Sequence, residues 1–210
     1  MKMRFFSATM WLIFASSFKK NLSVLEVPAS DKIMKNAKKK YKEIIGMIPP
    51  FGKNDILLVN LLSAATAAAV YLSLPKKPSV AQMKEYYEKS MDNNVVMRFV
   101  LKNTDNFSAG HQKKLAKEAA LSQNAVNPYT WRYQFIPGKT LNTFDAIFDK
   151  CGICELFKVL NIAEITPALC AYDYGMAKHT NTIFTREFTL ASGGAVCDCH
   201  YRKNRNTKFF

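Results

Sequence analysis

Apolar residues recur every three to four positions through most of the first half of the chain and every second position in parts of the last third. Between residues 30 and 48, Ile33, Ala37, Tyr41, Ile44, Ile45 and Ile48 form one stripe while lysines fill the opposite face, which predicts an amphipathic helix. Pro49, Pro50 and Gly52 end it. From Ile56 to Leu74 small and apolar residues occupy every face, so this helix is expected to lie in the core, stopping before the Pro75-Lys76-Lys77-Pro78 run. Ser79 and Gln82 form a capping-box pattern ahead of a helix in which Val80, Met83, Tyr87 and Met91 recur at helical spacing. A further helix is expected over roughly residues 108–123.

The period then changes to two. Trp131, Tyr133 and Phe135 alternate with Arg132 and Gln134, and Phe144, Ala146 and Phe148 alternate with Asp145, Ile147 and Asp149. With a turn at Gly138-Lys139, these two runs predict a hairpin. A helical stretch over roughly 152–177 separates it from a second predicted hairpin, in which TIFTREFT and AVCDCHYR flank the turn ASGG. Helices first and hairpins afterwards argue for an α+β fold, a helical half packed on an antiparallel sheet. Residues 1–25 read as an apolar helix able to serve as an anchor. Residues 26–210 read as a single domain, helical over 26–127 and hairpin-containing over 128–203.

The composition, 49% hydrophobic and 22% charged, is that of a globular chain. The net charge of +14 is uneven: the first sixty residues carry eleven Lys and Arg against four Asp and Glu, and residues 151–210 carry seven against five. Without RGG repeats, an aromatic RNA-binding box or a sustained arginine cluster, the excess reads as a solvated lysine surface; no nucleic-acid partner is expected. All five cysteines follow residue 150, an odd number unlike a secreted disulfide scaffold, so reduced thiols and a cytoplasmic location are expected. The apolar start, residues 1–20, and the Ile56–Leu74 run raise a membrane reading. Asn60, Ser63, Thr66 and Ser73 weigh against spanning in the second of these.

Chemistry-bearing residues gather near the end. In an extended Ala195–Arg202 strand, Cys197, Cys199 and Tyr201 share one face, and Val196, Asp198 and His200 share the other. The thiols and the Asp/His pair therefore belong to different sides. On the partner strand Phe184, Arg186 and Phe188 share a face, framing a cation with aromatics. Cys170 and Asp173, three apart, fall on one helix face. Cys151 and Cys154 form a C-x-x-C pair, which together with Cys197 and Cys199 makes a zinc reading of the same residues. His111 and His179 stand alone and read as polar fillers.

The blocks CGIC (Cys151–Cys154), LCAYD (Leu169–Asp173), REFTLASG (Arg186–Gly193) and Cys197-Asp198 resemble successive motifs of the L-2-amino-thiazoline-4-carboxylic acid hydrolase family. The resemblance is carried by residues 130–203 and extends through the alanine-rich helix to about residue 45. Cys199 departs from it, standing where an aromatic residue is usual. Membership implies hydrolysis of a cyclic amidine in which one carbon carries two nitrogens and a sulfur, opening 2-aminothiazoline-4-carboxylate to N-carbamoyl-cysteine. It implies Cys170 or Cys197 as nucleophile, and Asp173 and Asp198 to hold the amidine nitrogens or activate water. It further implies Arg186 as a clamp for the substrate carboxylate, with Thr189 and Gly193 beside it in the binding loop. The partner is then a small anionic substrate. No cofactor is required by these residues, although a divalent metal is compatible with them. The rival reading is a non-catalytic small-molecule or zinc-binding protein on the same fold.

Overall fold

A computed structural model describes residues 3–28 and 30–205; residues 1 and 2 of the apolar start lie outside the described residues. Helices α1 (Met3–Lys20), α2 (Asp31–Met47), α3 (Leu58–Ser73) and α4 (Val80–Asp92) build the first half, followed by α5 (Val95–Lys102) and α6 (Ala109–Ser122). At the centre is α3, whose residues Leu61 to Tyr71 are all buried. Its alanines lack bulk beyond Cβ, so α1 and α2 pack closely against it. The lysine-rich α2 presents Ala37, Tyr41 and Ile44 to this core and is capped by Ser30, whose hydroxyl accepts the Ile33 N–H. The capping box of α4 forms as the sequence predicts: Ser79 Oγ accepts the Gln82 N–H at 3.2 Å and Gln82 Oε1 accepts the Ser79 N–H at 2.9 Å.

The apolar start is a core helix. Phe14 and Phe18 of α1 are fully buried, and Phe18 meets Tyr86 and Tyr87 edge-on at 5.6 and 6.1 Å. Among the described residues no helix is long and apolar enough to cross a membrane. Helix α5 was not legible as an element. It is capped by Asn94, whose Oδ1 accepts the Met97 N–H while its Nδ2 donates to Ile13 O of α1 at 2.8 Å.

The second half is an antiparallel sheet of β1 (Arg132–Pro137), β2 (Thr143–Lys150), β3 (Thr182–Thr185) and β4 (Cys197–Lys203) in the order β1-β2-β4-β3. The two predicted hairpins thus join through β2 and β4, with Ala146 opposite Cys199 and Phe148 opposite Cys197. Gly138 closes the first turn, donating its N–H to Thr143 O at 3.0 Å; a Cβ there would lie 2.3 Å from that same oxygen. The second pair is not the tight hairpin expected. Strand β3 stops at Thr185, and residues 186–196 leave the sheet as a loop containing a 3₁₀ turn, Leu190–Ser192. Asp198 causes the exit: its carboxylate accepts the N–H groups of Glu187 and Phe188, at 3.2 and 2.6 Å, and so draws the chain off the ladder.

Between β2 and β3 the chain forms α7 (Gly152–Val159), a 3₁₀ turn (Ala163–Ile165), α8 (Thr166–Cys170) and α9 (Tyr172–His179). Helix α7 begins hard against the backbone before β1. A Cβ on Gly152 would sit 2.1 Å from Tyr129 O, so only glycine permits this approach.

Candidate active site

Strand alternation turns Cys197, Cys199 and Tyr201 of β4 inward and leaves Asp198 and His200 on the opposite face, as the spacing predicts. Above the inner face lie α7 to α9. Between them is a cavity of about 270 Å³ lined by Cys151, Cys170, Asp173, Arg186, Cys197 and Cys199, with Tyr201, Tyr133 and Phe148 on the sheet side. A wider cleft of about 640 Å³ shares the wall formed by Leu57, Asn60, His111, Leu115 and Glu118, but it is lined by no thiol and no arginine. The inner cavity is therefore where the chemistry is concentrated.

Cys170 and Asp173 straddle the junction of α8 and α9. Ala171 between them stays right-handed helical, so both still face the cavity. Arg186 is the first residue beyond β3. Its side chain is only 7% exposed, and Nη1 donates to Asp173 Oδ2 at 2.6 Å while Nη2 donates to Cys170 O at 3.1 Å. The guanidinium lies over Phe184 at 5.5 Å and Tyr174 at 5.8 Å. The aromatic frame is therefore Phe184 and Tyr174 rather than Phe184 and Phe188, because β3 has ended and Phe188 points to solvent. Arg186 is one half of an ion pair facing the cavity.

Burial raises the Asp173 carboxyl from its ordinary value, opposed by the charge and hydrogen bond of Arg186. The side chain keeps 34% exposure, facing this cavity and a neighbouring void of about 60 Å³. Burial opposes the charge on Arg186 as well, but Asp173, with smaller contributions from Cys170 and Cys199, more than restores it.

The five thiols are all free, and they are unequal. Burial pushes Cys170 up, with Asp173 adding to the effect. It also pushes Cys199 up, to about 12. Cys197 is raised by burial too, despite the Leu190 N–H that its sulfur accepts at 3.2 Å. Cys151 alone is lowered. The Cys154 thiol hydrogen-bonds to it, and this outweighs burial; the N–H groups of Cys154 and Ile153 add to the lowering. Cys154 is correspondingly raised.

Four residues singled out from the sequence, Cys170, Asp173, Arg186 and Cys197, meet in the cavity. Three do not line it. Asp198, on the far face, is pushed up by partial desolvation but held below the usual carboxylate range by the N–H groups of Phe188 and Glu187 and its own, with His200 contributing. Thr189 accepts the Ser192 N–H at 3.0 Å through Oγ1, and Gly193 takes the left-handed φ of +85° that closes the 3₁₀ turn. Both shape the loop that follows Arg186. The zinc set is not assembled: Cys151, Cys197 and Cys199 line the cavity while Cys154 is turned to Cys151, and no group of three or more His, Cys, Asp or Glu among the described residues is placed to hold a metal ion.

Two cavity residues carry signals that spacing alone assigns elsewhere. Cys151 reads as half of a metal pair but stands at the N-cap of α7 on the cavity wall. His111 reads as filler, yet the row His111, Leu115, Glu118 at i, i+4 and i+7 puts all three on one face of α6, at the rim. Burial first, then Lys114, keeps His111 below its ordinary pKa. Leu57, also on the rim, holds a left-handed φ of 59°, a strained conformation for a branched side chain.

No curated protein and no solved structure matches the chain. A family does. Residues 60–201, about two thirds of the chain, match the family described as L-2-amino-thiazoline-4-carboxylic acid hydrolase, a span that contains every residue lining the inner cavity except Leu57. With the thiols, Asp173 and Arg186 gathered in one cavity inside that span, the chain belongs to the L-2-amino-thiazoline-4-carboxylic acid hydrolase family.

Proposed function

We propose that the inner cavity opens a small carboxylated cyclic amidine, of which 2-aminothiazoline-4-carboxylate is the type, to the corresponding N-carbamoyl-cysteine. The observation that carries this reading is the Asp173–Arg186 ion pair facing a cavity lined by four thiols. Such a substrate has an amidine and a carboxylate on opposite sides of one ring, and the pair offers a carboxylate for the first and a guanidinium for the second. Asp173, the carboxylate half of the pair, accepts hydrogen bonds from the amidine nitrogens and holds them against the cavity wall. One of the cavity thiols supplies the nucleophile. A volume of about 270 Å³ lies at the lower edge of the ~300–1,000 Å³ of drug-sized ligand sites, which suits a small ring. The net charge of +14 favours the approach of an anion.

In this reading Asp198, Thr189 and Gly193 are positioning residues. They fix the loop whose first residue is Arg186 and do not touch the ring. Ring opening exposes a new thiol, so incubating the full-length protein with the thiazoline and titrating thiols over time tests the proposal. Release above the no-protein control supports it; no release across neutral and mildly alkaline pH removes this substrate.

A further inference from the structure

The inner cavity and the wider cleft are neighbours. Leu57, Asn60, His111, Leu115 and Glu118 line both, so the two spaces meet along one wall. At about 640 Å³ the cleft falls well inside the ~300–1,000 Å³ of small-molecule sites, whereas the inner cavity of about 270 Å³ does not reach that range. Their linings differ in kind. The ion pair and the thiols stand inside; the cleft adds Phe6, Phe51, Leu58 and Val59, of which Val59 is 38% exposed. Its charged groups, Lys114 and Glu118, lie 3.8 Å apart on α6 and answer each other, which leaves the apolar surface as its distinctive feature. On the shared wall Leu57 holds its left-handed φ of 59°. Glycine would adopt that conformation without strain, but leucine keeps an apolar side chain facing both spaces. Phe6, Phe51, Leu58 and Val59 all precede residue 60, where the family match begins, so that match does not fix what the cleft takes.

We propose that the ring opened in the inner cavity carries an apolar substituent, alkyl or aryl, that lies in this cleft, an inference that rests on the ring-opening reading above. The polar head, amidine and carboxylate, is held inside by Asp173 and Arg186. The substituent passes the wall of Leu57 and Leu115 and lies against Phe51, Leu58 and Val59. Releasing water from that apolar surface adds affinity that the polar head alone does not have. Leu58 and Val59 line the cleft but not the inner cavity, so they select the substituent without touching the reacting carbon. The substrate class is therefore a cyclic amidine carboxylate larger than the unsubstituted thiazoline.

Titration calorimetry on the full-length protein tests this without requiring turnover. The probes are 2-aminothiazoline-4-carboxylate, its derivative benzylated on the exocyclic nitrogen, and its derivative benzylated on the ring carbon next to sulfur. At least one benzylated ring is expected to bind about tenfold or more tighter than the parent. Leu58→Trp fills the cleft and should bring the ratio of those affinities close to one. Lys114→Trp fills it from an exposed position on α6 and serves the same purpose if Leu58→Trp does not fold. No gain for either benzylated ring overturns the inference, as does a gain that a folded Trp variant leaves in place. Thiol release, measured alongside, separates this from the reaction itself. If the parent ring is opened but neither benzylated ring binds better, the cleft has no such role and the ring-opening reading stands. If a benzylated ring binds better and the Trp variant removes the gain, yet no ring is opened, the reaction fails and the apolar subsite stands.

Discussion

Replacing Arg186 with methionine, which approximates its volume without its charge, isolates the ion pair on which the site is built. Arg186 is 7% exposed and bonds Asp173 at 2.6 Å. Removing one partner of a buried pair costs about 3–5 kcal/mol, because the other charge is left without compensation. Asp173 retains 34% exposure, which places the expected loss near the lower end, and the contacts with Phe184 and Tyr174 add back about 0.5–1 kcal/mol. The expected destabilisation is therefore about 3–4 kcal/mol. For a chain of 210 residues, at about 2–4 °C per kcal/mol, the melting temperature should fall by roughly 6–16 °C. Asp173→Asn combined with Arg186→Met should recover much of this, since no unpaired carboxylate remains. The sign of the pH dependence follows from Asp173. Losing Arg186 lifts its folded pKa further above the unfolded value, a penalty present at neutral pH and relieved as acid protonates the carboxyl in both states. Thermal melts of the three variants at neutral and acidic pH measure all of this. A drop below about 2 °C for Arg186→Met, or simple additivity in the double variant, would refute the reasoning.

The other expectations concern the elements that hold the cavity walls. Asp198→Asn removes a charged acceptor for two backbone N–H groups and should destabilise the fold by about 1–3 kcal/mol, read from chemical denaturation. Because the folded pKa of Asp198 is depressed, the wild-type advantage should hold at neutral pH and disappear as pH falls through that depressed value. In the thiazoline assay the same variant should also raise KM, since the loop bearing Arg186 loosens. Gly152→Ala drives a Cβ to 2.1 Å from Tyr129 O and should cost about 3 kcal/mol or more, seen as a lower melting temperature or loss of soluble protein. Ala67→Leu, at a fully buried position of α3, should cost about 1–3 kcal/mol by overpacking, again read by melting, with no direct effect on cavity chemistry.

The elements with unbroken periodicity were the ones legible in the sequence. The stripe of α2, the all-round apolar α3 and the Ser79/Gln82 capping box each state their structure locally, as do the alternations of β1, β2 and β4. Helix α5 was not legible: in eight residues it turns only Met97 and Leu101 toward the core, leaves Val95, Val96, Phe99 and Val100 exposed, and depends on its Asn94 cap. The pairing of β2 with β4 joins segments about fifty residues apart and leaves no local mark. Alternation in TIFTREFT continues past Thr185, but two hydrogen bonds to Asp198 end the strand there, a tertiary contact that overrides the pattern. The same limit applies to the site. Spacing groups Cys170 with Asp173 and separates Cys197 from Asp198, and both relations hold in the fold. That Asp173 would neutralise Arg186, or that Cys151 would face the same cavity, depends on how α7 to α9 lie over the sheet.

The fate of the ring carbon tests the central claim most directly. With the thiazoline isotopically labelled at the carbon between its two nitrogens, carbon NMR of the reaction with full-length protein should show that resonance leaving the amidine region for that of a urea. Arg186→Met, checked to be folded, should leave the label in the ring. A labelled carbon that stays in the amidine region with folded wild-type protein, or that converts equally fast with Arg186→Met, would contradict the account.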